Sequence, residues 1–113
     1  MTTPILDLDE WQSGQAQPNT TVNASLRWLE CFAQLAVLDR DLVAPPSSPS
    51  DGDRYIPNAT ATGAWAGHED AIALYMGNTW VFKSAPPGAR CYVEDEDIFI
   101  YWSSSTSGWI VEP

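Results

Sequence analysis

Between Asn19 and Ala44 the chain carries neither Gly nor Pro, and its apolar residues fall into rows. Val22, Leu26, Leu29, Ala33 and Ala36 are spaced alternately by four and three, the a/d seam of a heptad pattern. Trp28, Phe32 and Leu35 form a second row beside the first. With Asn19, Thr20 and Thr21 available as N-cap residues, the pattern predicts one helix over residues 20–38. A single stripe suffices to pack a helix onto a sheet, so a second suggests that the helix also meets its own copies around a symmetry axis. One wide stripe buried in the core of a single monomer accounts for the same residues.

The period changes after Asp39-Arg40-Asp41. Residues 42–53 hold Pro45, Pro46 and Pro49 and close on Asp51-Gly52, which predicts a stiff, extended connector ending in a turn. Beyond it the apolar runs are short. Arg54-Tyr55-Ile56, Ala71 to Met76, Trp80-Val81-Phe82, Cys91-Tyr92-Val93, Ile98 to Tyr101 and Trp109-Ile110-Val111 read as strands. Ile72 to Tyr75, a polar turn and Trp80 are echoed by Ile98 to Tyr101, a Ser/Thr/Gly turn and Trp109, with Tyr75 and Tyr101 separated by 26 residues. Each copy has the form of a β-hairpin. The fold class is α+β: one N-terminal helix, its segment taken as 20–41, then an antiparallel β domain of five to seven short strands over 54–113. Residues 1–19 scatter Ile5, Leu6, Leu8 and Trp11 among Asp, Gln, Gly and Pro, an aperiodic pattern that predicts an extended docking arm.

The length of 113 residues matches one domain, and 44 % hydrophobic content with six tryptophans marks a chain that folds. A net charge of −10 repels phosphate backbones and anionic head groups, which argues against nucleic-acid partners and membrane-surface binding. The sequence holds no apolar run long enough for membrane insertion, and its start lacks the basic and apolar parts of a secretion signal, so synthesis in a cytoplasm is expected. Cys31 and Cys91 fit no metal or redox spacing and are expected as two buried thiols. The sequons at Asn19, Asn23 and Asn58 carry no weight without export.

Chemistry-bearing residues are sparse. His68, the one histidine, precedes Glu69 and Asp70, yet no second His or paired Cys stands at ligand spacing, so it reads as a turn residue and no metal site is expected. Glu94-Asp95-Glu96-Asp97 lacks the spacing and glycine of a calcium loop and reads as a solvated hairpin turn, with weak calcium binding at a subunit contact as the alternative. No serine sits in a nucleophile elbow, no loop resembles a phosphate cradle, and the domain offers little room for a two-carboxylate glycosidase cleft. No catalytic residue and no cofactor is expected. The aromatics carry the remaining signal: Trp80, Trp102, Trp109, Tyr75 and Tyr101 offer flat faces with polar edges suited to sugars or protein surfaces. The alternative is that most of the aromatics fill the core; about half are expected there, with roughly two or three exposed, since Trp is rarely buried completely.

Asp51-Gly52-Asp53-Arg54-Tyr55-Ile56, followed by Gly63-Ala64-Trp65-Ala66-Gly67-His68, resembles the signature of a family of small domains carried on tail-fibre and spike proteins of phages, prophages and gene transfer agents. The resemblance extends through Gly14 to Gln17, Asn23 to Leu26, Gln34 to Arg40 and Ile72 to Tyr75, as far as Trp109. It implies a non-enzymatic virion component made in a bacterial host cytoplasm: a fibre, spike or tail-peripheral homotrimer that docks on tail, baseplate or capsid proteins. Host-surface attachment through a glycan is a further role in that setting. A carbohydrate-binding adhesin is the alternative, and a polysaccharide-degrading enzyme a distant third.

Overall fold

The computed structural model describes residues 2–113. The chain divides into two compact units, one ending at Leu35 and one spanning Ala36–Pro113.

In the first unit, helix α1 runs over Pro18–Ala33. It begins two residues earlier than the sequence pattern predicts. Proline's fixed φ suits the first helical turn, and Gln17 precedes it in a left-handed conformation without a side-chain cap. It also ends five residues earlier, because Ala36 and Val37 pair as a strand. Ala36 therefore leaves the heptad row, and Leu35 lies past the helix end. Val22, Leu26, Leu29 and Ala33 are exposed, with Leu26 at 56 %. Trp28 and Cys31 are buried and lie roughly opposite that stripe at about 100° per residue. The preceding segment is not extended. Thr2 bridges antiparallel to Asp9, Thr3 N–H donates to Leu8 C=O at 2.8 Å, and Asp7 turns the chain at φ 57°. Ser25 Oγ donates to Asp9 C=O and Gln15 Nε2 to Thr21 Oγ1, which ties this segment to the helix.

The second unit contains seven strands: β1 Ala36–Val37, β2 Arg54–Tyr55, β3 Ile72–Met76, β4 Thr79–Lys83, β5 Arg90–Val93, β6 Ile98–Ser103 and β7 Gly108–Val111. They form a three-stranded antiparallel sheet β2-β3-β4 and a four-stranded sheet β1-β5-β6-β7 in which only β1–β5 is parallel. The stretch 36–39 touches both. Ala36 and Val37 pair with Tyr92 and Val93, while Leu38 N–H donates to Arg54 C=O at 2.9 Å and Asp39 bridges to Tyr55 in parallel.

On either side of this joint stands the same construction. Ser50 C=O accepts from Asp53 N–H and Pro86 C=O from Ala89 N–H, both at 3.0 Å. Gly52 (φ 91°) and Gly88 (φ 81°) occupy the third position of each turn, the type II geometry that L side chains resist. Gly52 N–H then donates to Tyr75 C=O at 2.8 Å, and Gly88 N–H to Trp102 C=O at 2.9 Å. Tyr75 and Trp102 return the bond to Asp53 and Ala89, each at 2.9 Å. Each turn feeds a three-stranded meander, β2-β3-β4 or β5-β6-β7. The structural counterpart of Tyr75 is thus Trp102, 27 residues on, rather than Tyr101. Gly77 and Asn78, both at positive φ, close β3–β4 as a type I′ hairpin turn. Residues 104–107 close β6–β7.

The two copies differ between their first and second strands. In the second copy a four-residue acidic turn suffices. In the first, residues 57–70 form a loop pinched where Asp70 N–H donates to Pro57 C=O at 3.0 Å and where Ala61 N–H donates to Glu69 Oε2 at 3.0 Å. Its single 3₁₀ turn, Gly63–Trp65, sinks Trp65 to full burial.

Because nothing lies within 4 Å of a Cβ built on Gly52 or Gly88, substitution there strains backbone conformation alone. Gly52→Ala and Gly88→Ala should each cost about 1 kcal/mol, nearly the same for both, by urea denaturation. Unequal losses would break the equivalence of the two turns.

Candidate functional site

Opposed residues in an antiparallel ladder share a face, so the register sorts the aromatic side chains. In the first meander Tyr55, Ala73 and Phe82 align, as do Tyr75 and Trp80. Trp65 and Ala61 pack on this face with Tyr55, Trp80 and Phe82. Trp80 sits at the hub, its ring centroid 5.1 Å from Tyr75, 5.3 Å from Trp65 and 5.8 Å from Tyr55, in edge-on arrangements that the ring quadrupole favours. Trp65 Nε1 is buried without a hydrogen-bond partner among the described residues. His68 lies flat on Phe82 at 3.7 Å with its ring plane within 2° of parallel. A shallow depression of about 220 Å³ beside this stack is lined by His68, Glu69, Phe82 and Lys83 among others.

In the second meander Trp102 opposes Trp109 at 5.5 Å, again edge-on. Trp109 Nε1 donates to the Asp70 carbonyl at 2.9 Å, so its polar edge is spent on the pinched loop of the first copy. Cys91 and Ile100 share this face and are buried. The other face carries Arg90, Tyr92, Phe99, Tyr101, Ile110 and Glu112 and is open to solvent at its centre, Phe99 being 38 % exposed.

The acidic turn meets a second acidic segment. The parallel β1–β5 pairing brings residues 39–41 beside residues 94–97, and ligand oxygens of Asp39, Asp41 and Asp95 lie within 4.8 Å of one another. Oxygen donors so placed suit a hard cation such as Ca²⁺. Between them Arg40 donates to both oxygens of Glu96 at 2.8 and 2.9 Å. That fork holds Glu96 below the usual carboxylate range. Desolvation, followed by the charges of Asp39, Glu96 and Asp41, raises Asp95 above it.

Residues 22–110, the greater part of the chain, match a family described as protein of unknown function DUF2793. The chain belongs to the DUF2793 family. A comparison with curated proteins finds no match. The DUF2793 match begins inside α1 and ends in β7, so it takes in both meanders.

Within this DUF2793 domain the sequence-predicted aromatics do not converge on one site. Tyr75 and Trp80 serve the cluster around Trp65, Trp102 and Trp109 pair on the second meander, and Tyr101 stands on the opposite face of that sheet. Of the six tryptophans, Trp28 and Trp65 are buried, Trp11 is 64 % exposed, and Trp80, Trp102 and Trp109 are half-buried. Cys31 and Cys91 are buried thiols not joined in a disulfide, as expected from sequence. His68 is an exposed turn residue. Two groupings escaped the sequence. The open face around Phe99 was visible only as the alternation Phe99, Tyr101 within β6. The Asp39/Asp41/Asp95 cluster left no local signal, since its members join through a long-range strand pairing.

Trp65→Ala should destabilise the protein by about 3–5 kcal/mol. Trp65→Phe should cost less than half as much, because it keeps a buried ring and removes an unpaired donor; an equal loss for both would assign that N–H an indispensable partner. Arg40→Ala should cost about 1 kcal/mol at pH 7. A depressed Glu96 stabilises the fold above the ordinary carboxylate range and stops doing so as pH falls through its folded-state value, whereas a raised Asp95 favours the fold as pH falls. The Arg40→Ala deficit should therefore shrink on acidification to about pH 3.5, and a deficit independent of pH in denaturation curves would contradict it.

Proposed function

We propose that this DUF2793 protein is a non-enzymatic virion component, a fibre, spike or tail-peripheral protein that assembles through α1 and docks on other particle proteins. The observation that carries the proposal is the exposed row Val22, Leu26, Leu29 and Ala33, set apart from the buried Trp28 and Cys31. Four apolar side chains at heptad spacing, left in water on a 16-residue helix, cost free energy that association recovers. The resemblance of Asp51 to Ile56 and Gly63 to His68 to phage fibre and spike domains supports the particle setting, and three-fold assembly follows from that setting. Exposed Ile5 and Trp11 give the N-terminal segment apolar contacts for docking. Most of the candidate aromatics are engaged in packing, which favours a structural role over catalysis. Attachment to a host-surface glycan is the second reading, favoured by the open aromatic face around Phe99.

Native mass spectrometry and light scattering should find a trimer that Leu26→Glu combined with Leu29→Glu converts to monomer without loss of fold. Removal of residues 1–19 should abolish incorporation into particles. A monomeric wild type, together with undiminished incorporation of the truncated chain, would refute the proposal.

A further inference from the structure

The duplicated meander provides an internal control for what a face of this sheet ordinarily does. By register, Ile72 corresponds to Phe99, Leu74 to Tyr101, Val81 to Ile110, Arg54 to Arg90 and Lys83 to Glu112. In the first copy this face is aliphatic at Ile72 and Leu74, and both are buried. In the second copy the same two positions are aromatic, and Phe99 is exposed. Tyr92 adds a third ring, 5.1 Å from Phe99. Two aromatic rings placed where the sister copy needs only aliphatic packing, Phe99 open to solvent and Tyr101 half-buried, mark a surface built for contact.

The polar groups on this face identify the kind of ligand. The Arg90 guanidinium lies 3.6 Å from the centroid of Phe99, and its Nε donates to both Glu112 oxygens at 2.9 and 3.0 Å. The Tyr92 hydroxyl donates to the Asp97 carboxylate. Donors and acceptors are thus held in fixed positions beside apolar rings. A protein partner laid over the centre would have to desolvate the Arg90–Glu112 pair, which is costly. A sugar brings apolar C–H faces to the rings and hydroxyls to the ion pair. The acidic turn Glu94-Asp95-Glu96-Asp97 at one end, Glu112, and a chain charge of −10 repel uronates and sulfated sugars.

We propose that the open face of the β5-β6-β7 meander, centred on Phe99 with Arg90, Tyr92 and Tyr101, binds a neutral or amino-sugar glycan. This deepens the attachment side of the function proposed above and rests on it only for the origin of the glycan.

The test uses the full chain against defined hexasaccharides: β-linked glucose, N-acetylglucosamine, glucosamine, and hyaluronan as the anionic probe. Calorimetry should detect binding to at least one of the first three and none to hyaluronan. Phe99→Ala and Arg90→Ala should each weaken it by about tenfold or more. Phe99→Tyr should largely restore it, and Ser47→Ala at an exposed position of the 42–53 connector should leave it unchanged. If the alanine variants misfold, amide chemical-shift changes in the wild type should still cluster at β5 and β6. Absence of binding to all three non-anionic probes, binding to hyaluronan alone, or shifts confined to other elements would overturn the proposal. Incorporation of Phe99→Ala into particles reads the virion assignment separately, since loss of sugar binding with normal incorporation leaves that assignment intact.

Discussion

The second unit depends on one short piece of backbone, residues 36–39. Its first two residues satisfy β5 and its last two satisfy β2, so each meander has an inner edge completed by the same strand. Unpaired backbone groups are expensive once water is excluded, and Val37 at the centre of the joint is fully buried. No side chain can stand in for this role. It also explains why α1 stops at Ala33. The helix would have gained one hydrogen bond per residue by continuing through Val37, but the two sheets would then have lost the strand between them, and tertiary pairing outweighs local propensity.

Around that joint the chain repeats itself, and the residues that most resemble a signature turn out to be parts of the scaffold. Asp51 to Ile56 supplies a type II turn and β2. Gly63 to His68 supplies the 3₁₀ turn that drives Trp65 into the aromatic cluster, with His68 closing over Phe82. The second copy has a counterpart of the turn at Pro86 to Ala89 but none of the pinched loop, and its Trp109 borrows the Asp70 carbonyl from the first copy instead. The copies are therefore interlocked rather than merely adjacent. A change in the 57–70 loop should be felt at Trp109, although 39 residues separate Asp70 from it.

Much of this was legible in the sequence because it is local. Hairpins announced themselves through polar turns between apolar runs, and a Trp following each turn marked the return strand. The class, a helix followed by a β domain, came from the switch in hydrophobic period. What escaped was set by long-range pairing. Ala36 continues a heptad spacing, yet its backbone is claimed by Tyr92. The echo between hairpins looked like Tyr75 with Tyr101, but the ladder aligns Tyr75 with Trp102, and that one-residue slip exchanges the two faces of the sheet. Tyr101 consequently lies with Phe99 on the open side, and Trp102 lies with Trp109. The aromatics were visible as a group; which of them face solvent was decided by register, which no short-range pattern records.

Shallow faces such as the one around Phe99 gain little from a single sugar, because few ligand atoms are enclosed and each hydroxyl exchanges one hydrogen-bonding partner for another. A lone domain of this kind would hold a glycan weakly. Assembly through α1, as proposed above, would change the arithmetic, since a second and third contact on one polymer chain would become intramolecular events governed by effective concentration rather than by bulk concentration. On the proposed function the exposed helical stripe and the open aromatic face thus need each other. Disrupting the stripe should weaken attachment to a polymeric glycan far more than binding of a hexasaccharide, whereas disrupting the Phe99 face should weaken both alike. That asymmetry follows from linkage between sites and requires no contact between the helix and the sugar.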